Sequence, residues 1–349
     1  RQATGRMAVS RQERRKMDEK NINILILSAG RRVELVNCFK AARDRLGIEG
    51  SVIAVDASNL APALYFADVR EQVPRIAEND NYVNSIIDIC NRHEVKLIVP
   101  TIDTELILLA ERKQQIESAT GAKVLISSDE VVRICRDKTN TQRWLEEHGF
   151  LVPRQISDED IESGRAEYPV FIKPLDGSSS INAFMADDRE ELDTYRRLIG
   201  NGRYIVQDFM EGTEYTVDCF LDMDSRIITV VPRIRIATRS GEIAKGRIVK
   251  DVAIIEDVKR LLGALRPVGH ITIQCMRTKK GIEYIEINPR FGGGAPMSIM
   301  AGADSCEYLY RLLRGEKLEQ GHDYRENVTF LRFDASIMLN EDDEPEGEY

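Results

Sequence analysis

The chain is poor in the residues that usually mark a metal or redox site. Its four histidines, His93, His148, His270 and His322, are scattered singly, which leaves no histidine metal motif and no Ser-His-Asp arrangement. The six cysteines form no C-x-x-C pair and no zinc-like spacing, so they read as separate reduced thiols of a cytoplasmic protein. No apolar run is long enough to span a membrane, and the polar, basic first twenty residues contain no apolar signal segment. Neither G-x-G-x-x-G nor G-x-x-x-x-G-K-[ST] occurs, so the dinucleotide fingerprint and the Walker A loop are both missing. A net charge of -9 argues against broad nucleic-acid binding.

What remains is a soluble-type composition, 42% hydrophobic and 31% charged, over 349 residues, enough for two or three domains. Residues 1–20 have no apolar periodicity and read as a disordered leader or one foreign to the natural chain, with Met17 as a natural start. Residues 341–349 form an acidic tail. From residue 21 to 135, buried-type strands ("INILILSAG", "SVIAVDAS", "VKLIVPT", "AKVLISS") alternate with helical segments ("RVELVNCFKAARDRLG", "NYVNSIIDICNRHE", "TELILLAERKQQIESAT"). That alternation predicts a parallel, doubly wound, Rossmann-like α/β domain. Asp56 ends the second strand, where a ribose-binding acid would sit; without the glycines, a cap on the next turn is the better reading. Asp103 and Glu105 follow a strand's carboxyl end, where open sheets bind ligands; first-turn acids favoured by the helix dipole are the plainer alternative.

Beyond residue 135 the texture becomes α+β. "DKTNTQRWLEEHG" predicts a helix ending at Gly149, and "YPVFIKPLDGSSSINAFMAD" two short strands joined by a Gly/Ser loop. Lys173 closes the first of these strands, and Gly177, Ser178, Ser179 and Ser180 form a loop whose amides can approach phosphate oxygens. Most such loops are plain turns. "RYIVQDFMEGTEYTVDCFLD" is a strand that breaks after Met210 and resumes, and the break frees backbone groups for an adenine edge. In "YIEINPRFGGG", Glu286 and Asn288 share one strand face, Arg290 continues it, and Ile285 and Ile287 point to a core. A carboxylate, an amide oxygen and a guanidinium suit a hard cation beside phosphate. A half-exposed strand with polar residues facing water accounts for the stretch equally well.

Taken in order, "RDKTNTQRWLEEHG", "VFIKPLDGSSS", "VQDFMEGTEYTVD" and "ITIQCMRTKKGIEYIEINPRFGGG" resemble the ATP-grasp ligases, over residues 22–335. The resemblance is nearest to the carbamoyl-phosphate-synthetase-like branch, which also contains the lysine-adding ligase of pyrrolysine biosynthesis. It implies an ATP-grasp fold behind an N-terminal Rossmann-like (pre-ATP-grasp) domain at 21–135, a small central subdomain at 136–206 and a C-terminal subdomain at 207–340. It implies that Lys138 and Lys173 hold the α- and β-phosphates while residues 177–180 close over them. Gln207, Asp208, Phe209 and Met210 would receive adenine, and Glu214 would bind ribose. Gln274, Glu286 and Asn288 would hold Mg²⁺ or Mn²⁺, and Arg290 would steady the transferring phosphoryl group. Many relatives have Asp at the first metal position, so Gln274 makes this site less anionic.

The implied activity is ATP-dependent joining of a small carboxylate to an amine through an acyl phosphate, by a cytoplasmic enzyme, a candidate homodimer, with no nucleic-acid or membrane partner. The alternatives are a carbamoyl-phosphate-type enzyme acting on bicarbonate and an ATP-binding regulator without turnover. Arg233, Arg235, Arg239, Lys245, Arg247 and Lys250 flank a turn at Ser240-Gly241, with Glu242 the only acid nearby in sequence. Arg233, Arg235, Lys245 and Arg247 are therefore candidate carboxylate-substrate ligands, against the plainer alternative of a solvated hairpin.

Overall fold

The computed structural model describes residues 21–175, 182–200, 203–321 and 323–347. The leader at 1–20, the loop Gly177–Ser180 and the last two residues of the acidic tail lie outside the described residues.

The chain forms two compact units. The first comprises the described residues up to 125 together with 304–319 and 337–347. Its five strands are β1 (Asn23–Ile26), β2 (Val52–Asp56), β3 (Val69–Gln72), β4 (Val95–Val99) and β5 (Lys123–Val124). They lie in the order β3-β2-β1-β4-β5, and all pairs are parallel. Ile24, Leu25 and Ile26 are fully buried in succession, as expected of a strand covered on both faces. Helices Val33–Arg45, Asp80–Arg92 and Leu106–Thr120 alternate with the strands, and each buries an apolar stripe. Residues 304–319 belong to this unit: helix Ser305–Leu313 packs on helix Val33–Arg45, with Phe39 edge-on to Tyr310.

The second unit spans 126–303 with 320–336. It contains β6 (Val170–Pro174), β7 (Phe184–Ala186), β8 (Tyr204–Asp208), β9 (Gly212–Leu221), β10 (Ile227–Arg239), β11 (Glu242–Ile248), β12 (Gly269–Thr278), β13 (Ile282–Asn288) and β14 (Thr329–Leu331). A small antiparallel sheet, β7-β6-β8, has its own core around Val170, Ile172, Leu192 and Val206. A six-stranded antiparallel sheet runs β13-β12-β9-β10-β11-β14. Tyr215, Val217 and Cys219 of β9 and Ile271, Ile273 and Cys275 of β12 join one core with helix Val252–Leu265. By alternation, Glu214, Thr216 and Asp218, and His270, Thr272 and Gln274, occupy the opposite face. The functional candidates gather on that face.

Candidate active site

Lys138 is the first residue of helix Lys138–Glu147, which is capped by the Asp137 side chain accepting from the Asn140 amide. Its Nζ donates to the Pro174 carbonyl at 3.2 Å, which places it beside the end of β6. Lys173 comes from β6 itself. Burial, helped by the like charge of Lys138 and opposed by Glu286, brings the Lys173 ammonium down to about 8. Two lysines and one carboxylate, drawn from a helix and both sheets of the unit, thus meet in one place.

Gln274 and Glu286 are direct register partners on β12 and β13, and Thr272 pairs with Asn288. Asn288 Nδ2 donates to Glu286 Oε1 at 2.9 Å, so the NH₂ end faces the carboxylate and the amide oxygen keeps its lone pairs. The simple alternation expected for this strand fails at one point. The register slips between Gln274 and Cys275, and Tyr284, not Ile285, shares the core with Ile287. An extra residue at 285 bends β13 just before its polar pair, as β-bulges do.

The glycines after Arg290 serve close packing rather than unusual backbone angles, since none of Gly292, Gly293 or Gly294 has positive φ. A Cβ on Gly292 would lie 2.8 Å from Thr272 Oγ1, and one on Gly294 would lie 2.6 Å from Arg233 Nη1. Arg290 is half-buried, with Nη1 donating to the Phe291 carbonyl at 3.3 Å.

The hinge segment differs slightly from its expected form. β8 ends at Asp208, so the strand breaks before Phe209 rather than after Met210. Gln207 is buried, and Asp208 pairs with Arg154 at 3.1 Å and Lys280 at 3.4 Å. Phe209 is exposed, and β9 resumes at Gly212, where a Cβ would run into the Arg277 carbonyl. Glu214 Oε1 forms an ion pair with Arg235, 2.9 Å from its Nε. Burial pushes the Glu214 carboxyl up, Arg235 pulls it back, and nearby Glu286 adds to the rise.

The hairpin bases do not form one free basic face. Arg233 is 1% exposed and paired with Asp218, Arg235 is paired with Glu214, and Arg239 with Asp334. Two of their acids stand on the neighbouring strand β9 and the third, Asp334, follows β14, so none is near the turn in sequence. Lys245 and Arg247 are exposed, and Arg247 Nε donates to Thr329 Oγ1 at 3.0 Å. In the first unit, Asp56 caps the amides of Gly30 and Ser58, as the plainer alternative had it. Glu105 is fully buried and receives Ser28 Oγ, Tyr82 Oη and the Thr101 amide, which makes it an internal anchor; Asp103 is half-buried. Asp218, buried on the same face as Glu214, was not among the candidates. Its signal was present in "EYTVDCF", where Glu214, Thr216 and Asp218 alternate with an apolar face.

Among the described residues no three His, Cys, Asp or Glu side chains group to hold a metal. The oxygen set of Glu286, Gln274 and Asn288 nonetheless suits magnesium, which is usually held by one or two carboxylates together with substrate phosphates.

Residues 24–125 match the PylC-like N-terminal domain and residues 135–294 the ATP-grasp domain. A carbamoyl-phosphate synthase from Methanobrevibacter smithii is 26% identical over 129 residues, which cover 36% of this chain and 35% of that protein. A D-alanine–D-alanine ligase from Corynebacterium jeikeium is 31% identical over 115 residues, covering 30% of each chain. The chain spans 35%, 20% and 27% of the length of three carbamoyl-phosphate synthase relatives. Among solved structures, biotin carboxylase from Campylobacter jejuni superposes with a TM-score of 0.68 at 18% identity, covering 88% of this chain and 74% of that one. The biotin carboxylase domain dimer of Hydrogenobacter thermophilus 2-oxoglutarate carboxylase, solved with magnesium ADP and bicarbonate, gives 0.65 at 18% identity, covering 88% and 73%. The L-amino acid ligase from Bacillus licheniformis gives 0.64 at 18% identity, covering 86% and 75%. With a PylC-like N-terminal domain ahead of an ATP-grasp domain, the chain belongs to the ATP-grasp ligase family.

Proposed function

We propose that this protein is an ATP-dependent ligase that joins a small carboxylate to an amine through an acyl phosphate, releasing ADP and phosphate. The observation that carries the reading is the meeting of Lys138, Lys173 and Glu286 beside Gln274 and Asn288. A buried ammonium crowded by a second lysine is costly unless it has an anionic ligand to meet, and phosphate is such a ligand.

In this reading Lys138 and Lys173 bind the α- and β-phosphates, to which backbone amides of residues 177–180 would also donate. Gln207 to Met210 receive adenine. Glu214, with one oxygen held by Arg235, accepts a ribose hydroxyl. Glu286, Gln274 and Asn288 would hold magnesium, which when bound neutralises phosphate charge. Arg290 lies at the end of that strand and steadies the phosphoryl group as the substrate carboxylate attacks it. The amine then displaces phosphate from the acyl phosphate. Of the hairpin bases, Lys245 and Arg247 have exposed side chains that can meet the carboxylate substrate.

A second reading, action on bicarbonate, is supported by the carbamoyl-phosphate synthase relatives and by the bicarbonate-bound structure. A cytoplasmic setting fits the six free cysteines, and a homodimer fits the dimeric neighbour. Among the described residues no helix is long and apolar enough to cross a membrane. The deciding test is ADP release against a panel of amino acids, dipeptides and bicarbonate, with product masses read in parallel. A mass equal to carboxylate plus amine minus water supports the ligase. ADP release with bicarbonate alone favours the second reading, and none with any compound leaves a binding protein.

A further inference from the structure

Asp218, Arg233 and His270 are buried on the same sheet face as the site, Ser298 of helix Ala295–Met300 reaches them, and none of the four is used by the reading above. Asp218 Oδ2 accepts Arg233 Nη2 at 3.0 Å, Arg233 Nε at 3.3 Å and Ser298 Oγ at 2.5 Å. His270 Nε2 faces Asp218 Oδ1 at 3.5 Å. All four residues are at most 2% exposed. Burial alone would raise the Asp218 carboxyl; Arg233, then His270 and Ser298, override it and hold the group well below the usual carboxylate range.

The cluster is joined to the site through the sheet's register. Asp218 pairs with Thr272, which pairs with Asn288. Arg233 pairs with Thr216, Thr216 with Gln274, and Gln274 with Glu286. Several of its other contacts fall on residues 290–298, while the Arg233 stem lies against Gly246. Thr272 Oγ1 donates to the Arg290 carbonyl at 3.3 Å. The His270 ring stacks on Phe291, with centroids 4.4 Å apart and planes 12° apart. Gly294 lies against the Arg233 guanidinium so closely that no Cβ fits, and Ser298 reaches Asp218. The segment that starts with Arg290 is thus held at four successive points by the sheet face that also presents Glu286 and Asn288.

A buried ion pair gives little net stability, because desolvation offsets most of its attraction; its best-attested use is to fix one arrangement. Arg233 Nη1 is buried without a hydrogen-bond partner among the described residues, a further cost that stability alone does not justify. We infer that Asp218, with Arg233, His270 and Ser298, is a positioning network that fixes the 290–298 turn, and so Arg290, without touching substrate. This rests on the ligase reading, in which Arg290 meets the transferring phosphoryl group.

The test compares Ser298→Ala, which loses the bond to Asp218, with Ser298→Thr, which keeps a hydroxyl. Turnover is read with the substrate pair that gives the greatest ADP release. A second arm needs no turnover: the tightening of ADP binding by aluminium fluoride, a stand-in for the moving phosphoryl group. Ser298→Ala should lower kcat about tenfold with the KM for ATP within about twofold, and lose about tenfold of the fluoride tightening. Ser298→Thr should recover most of both. Phe291→Leu, which removes the ring stacked on His270, should repeat the pattern and serves if Ser298→Ala does not fold. Wild-type kcat and tightening in the folded variants, with only a lower melting temperature, would reduce the network to a structural one and overturn the inference. Wild type showing neither ADP release nor fluoride tightening overturns the ligase reading itself, and the inference with it.

Discussion

Lys138 crowds Lys173 with a like charge at the end of β6, and Glu286, reaching in from β13, only partly offsets it. With its ammonium brought down to about 8, Lys173 is in part a neutral amine near pH 8 and is poised to gain a proton when an anion arrives. Phosphate favours the charged form, so nucleotide binding near pH 8 should take up about half a proton. Calorimetry with a nonhydrolysable ATP analogue, in two buffers of different ionisation heat, reads this directly. The uptake should fade by about pH 6.5, where Lys173 is already charged, and should be absent in Lys173→Met. Buffer-independent heats at pH 8 would mean that Lys173 does not meet the phosphates.

The same lysine should cost stability. Its folded-state value lies below that of the unfolded chain, so the cost is present in full below about pH 8 and fades as pH rises toward the unfolded value. It amounts to roughly 3 kcal/mol at most. Lys173→Met should therefore melt at or above the wild-type temperature at pH 7 while losing nucleotide binding. A variant that melts well below wild type would show Lys173 to be a structural residue.

Glu286→Gln and Asn288→Ala should each lower magnesium-dependent ADP release by about 100-fold or more, because the oxygen set has only one carboxylate to lose. Both side chains are half-buried on the site face, so melting should change little. Near-normal ADP release in either variant would move the metal elsewhere.

Lys173→Ala should weaken the ATP analogue more than Glu214→Gln, since charge-assisted contacts to phosphate are roughly twice as strong as those between neutral groups. Glu214→Ala is a poorer probe: it strips Arg235 of its acid and should lower the melting temperature as well. The opposite affinity ranking would mean that the phosphates are misplaced.

Within the hairpin, Arg233→Ala should destabilise by roughly 3–5 kcal/mol, because it leaves Asp218 buried and uncompensated. Lys245→Ala should leave melting unchanged and raise the KM for the carboxylate substrate several-fold. An unchanged KM in both Lys245→Ala and Arg247→Ala returns these two to ordinary surface charges.

Much of this was legible in the chain itself. Continuous apolar runs such as "INILILSAG" mark buried parallel strands because both faces are covered, and the hairpin turn at Ser240-Gly241 has the positive φ its residues suggest. β3 escaped notice because Val69–Gln72 is an edge strand with half its side chains exposed, so it carries no apolar run. The bulge beside Glu286 was invisible because register depends on the partner strand. The grouping of residues 304–319 with the first unit, and the acids that pair with Arg233, Arg235 and Arg239, are long-range facts with no local periodicity. Lys173, Glu286 and Asn288 were legible as a set only through the order of motifs. The phosphate role of residues 177–180 was read from composition and stands as a proposal.

Oxygen transfer tests the central claim most directly. The carboxylate substrate found in the panel would be labelled with ¹⁸O and turned over with ATP and the amine, and the released phosphate analysed by mass. Attack of the carboxylate on the γ-phosphorus predicts one ¹⁸O in the phosphate for each product formed, with ADP as the other product. Unlabelled phosphate, or AMP and pyrophosphate in place of ADP and phosphate, would contradict an acyl-phosphate ligase.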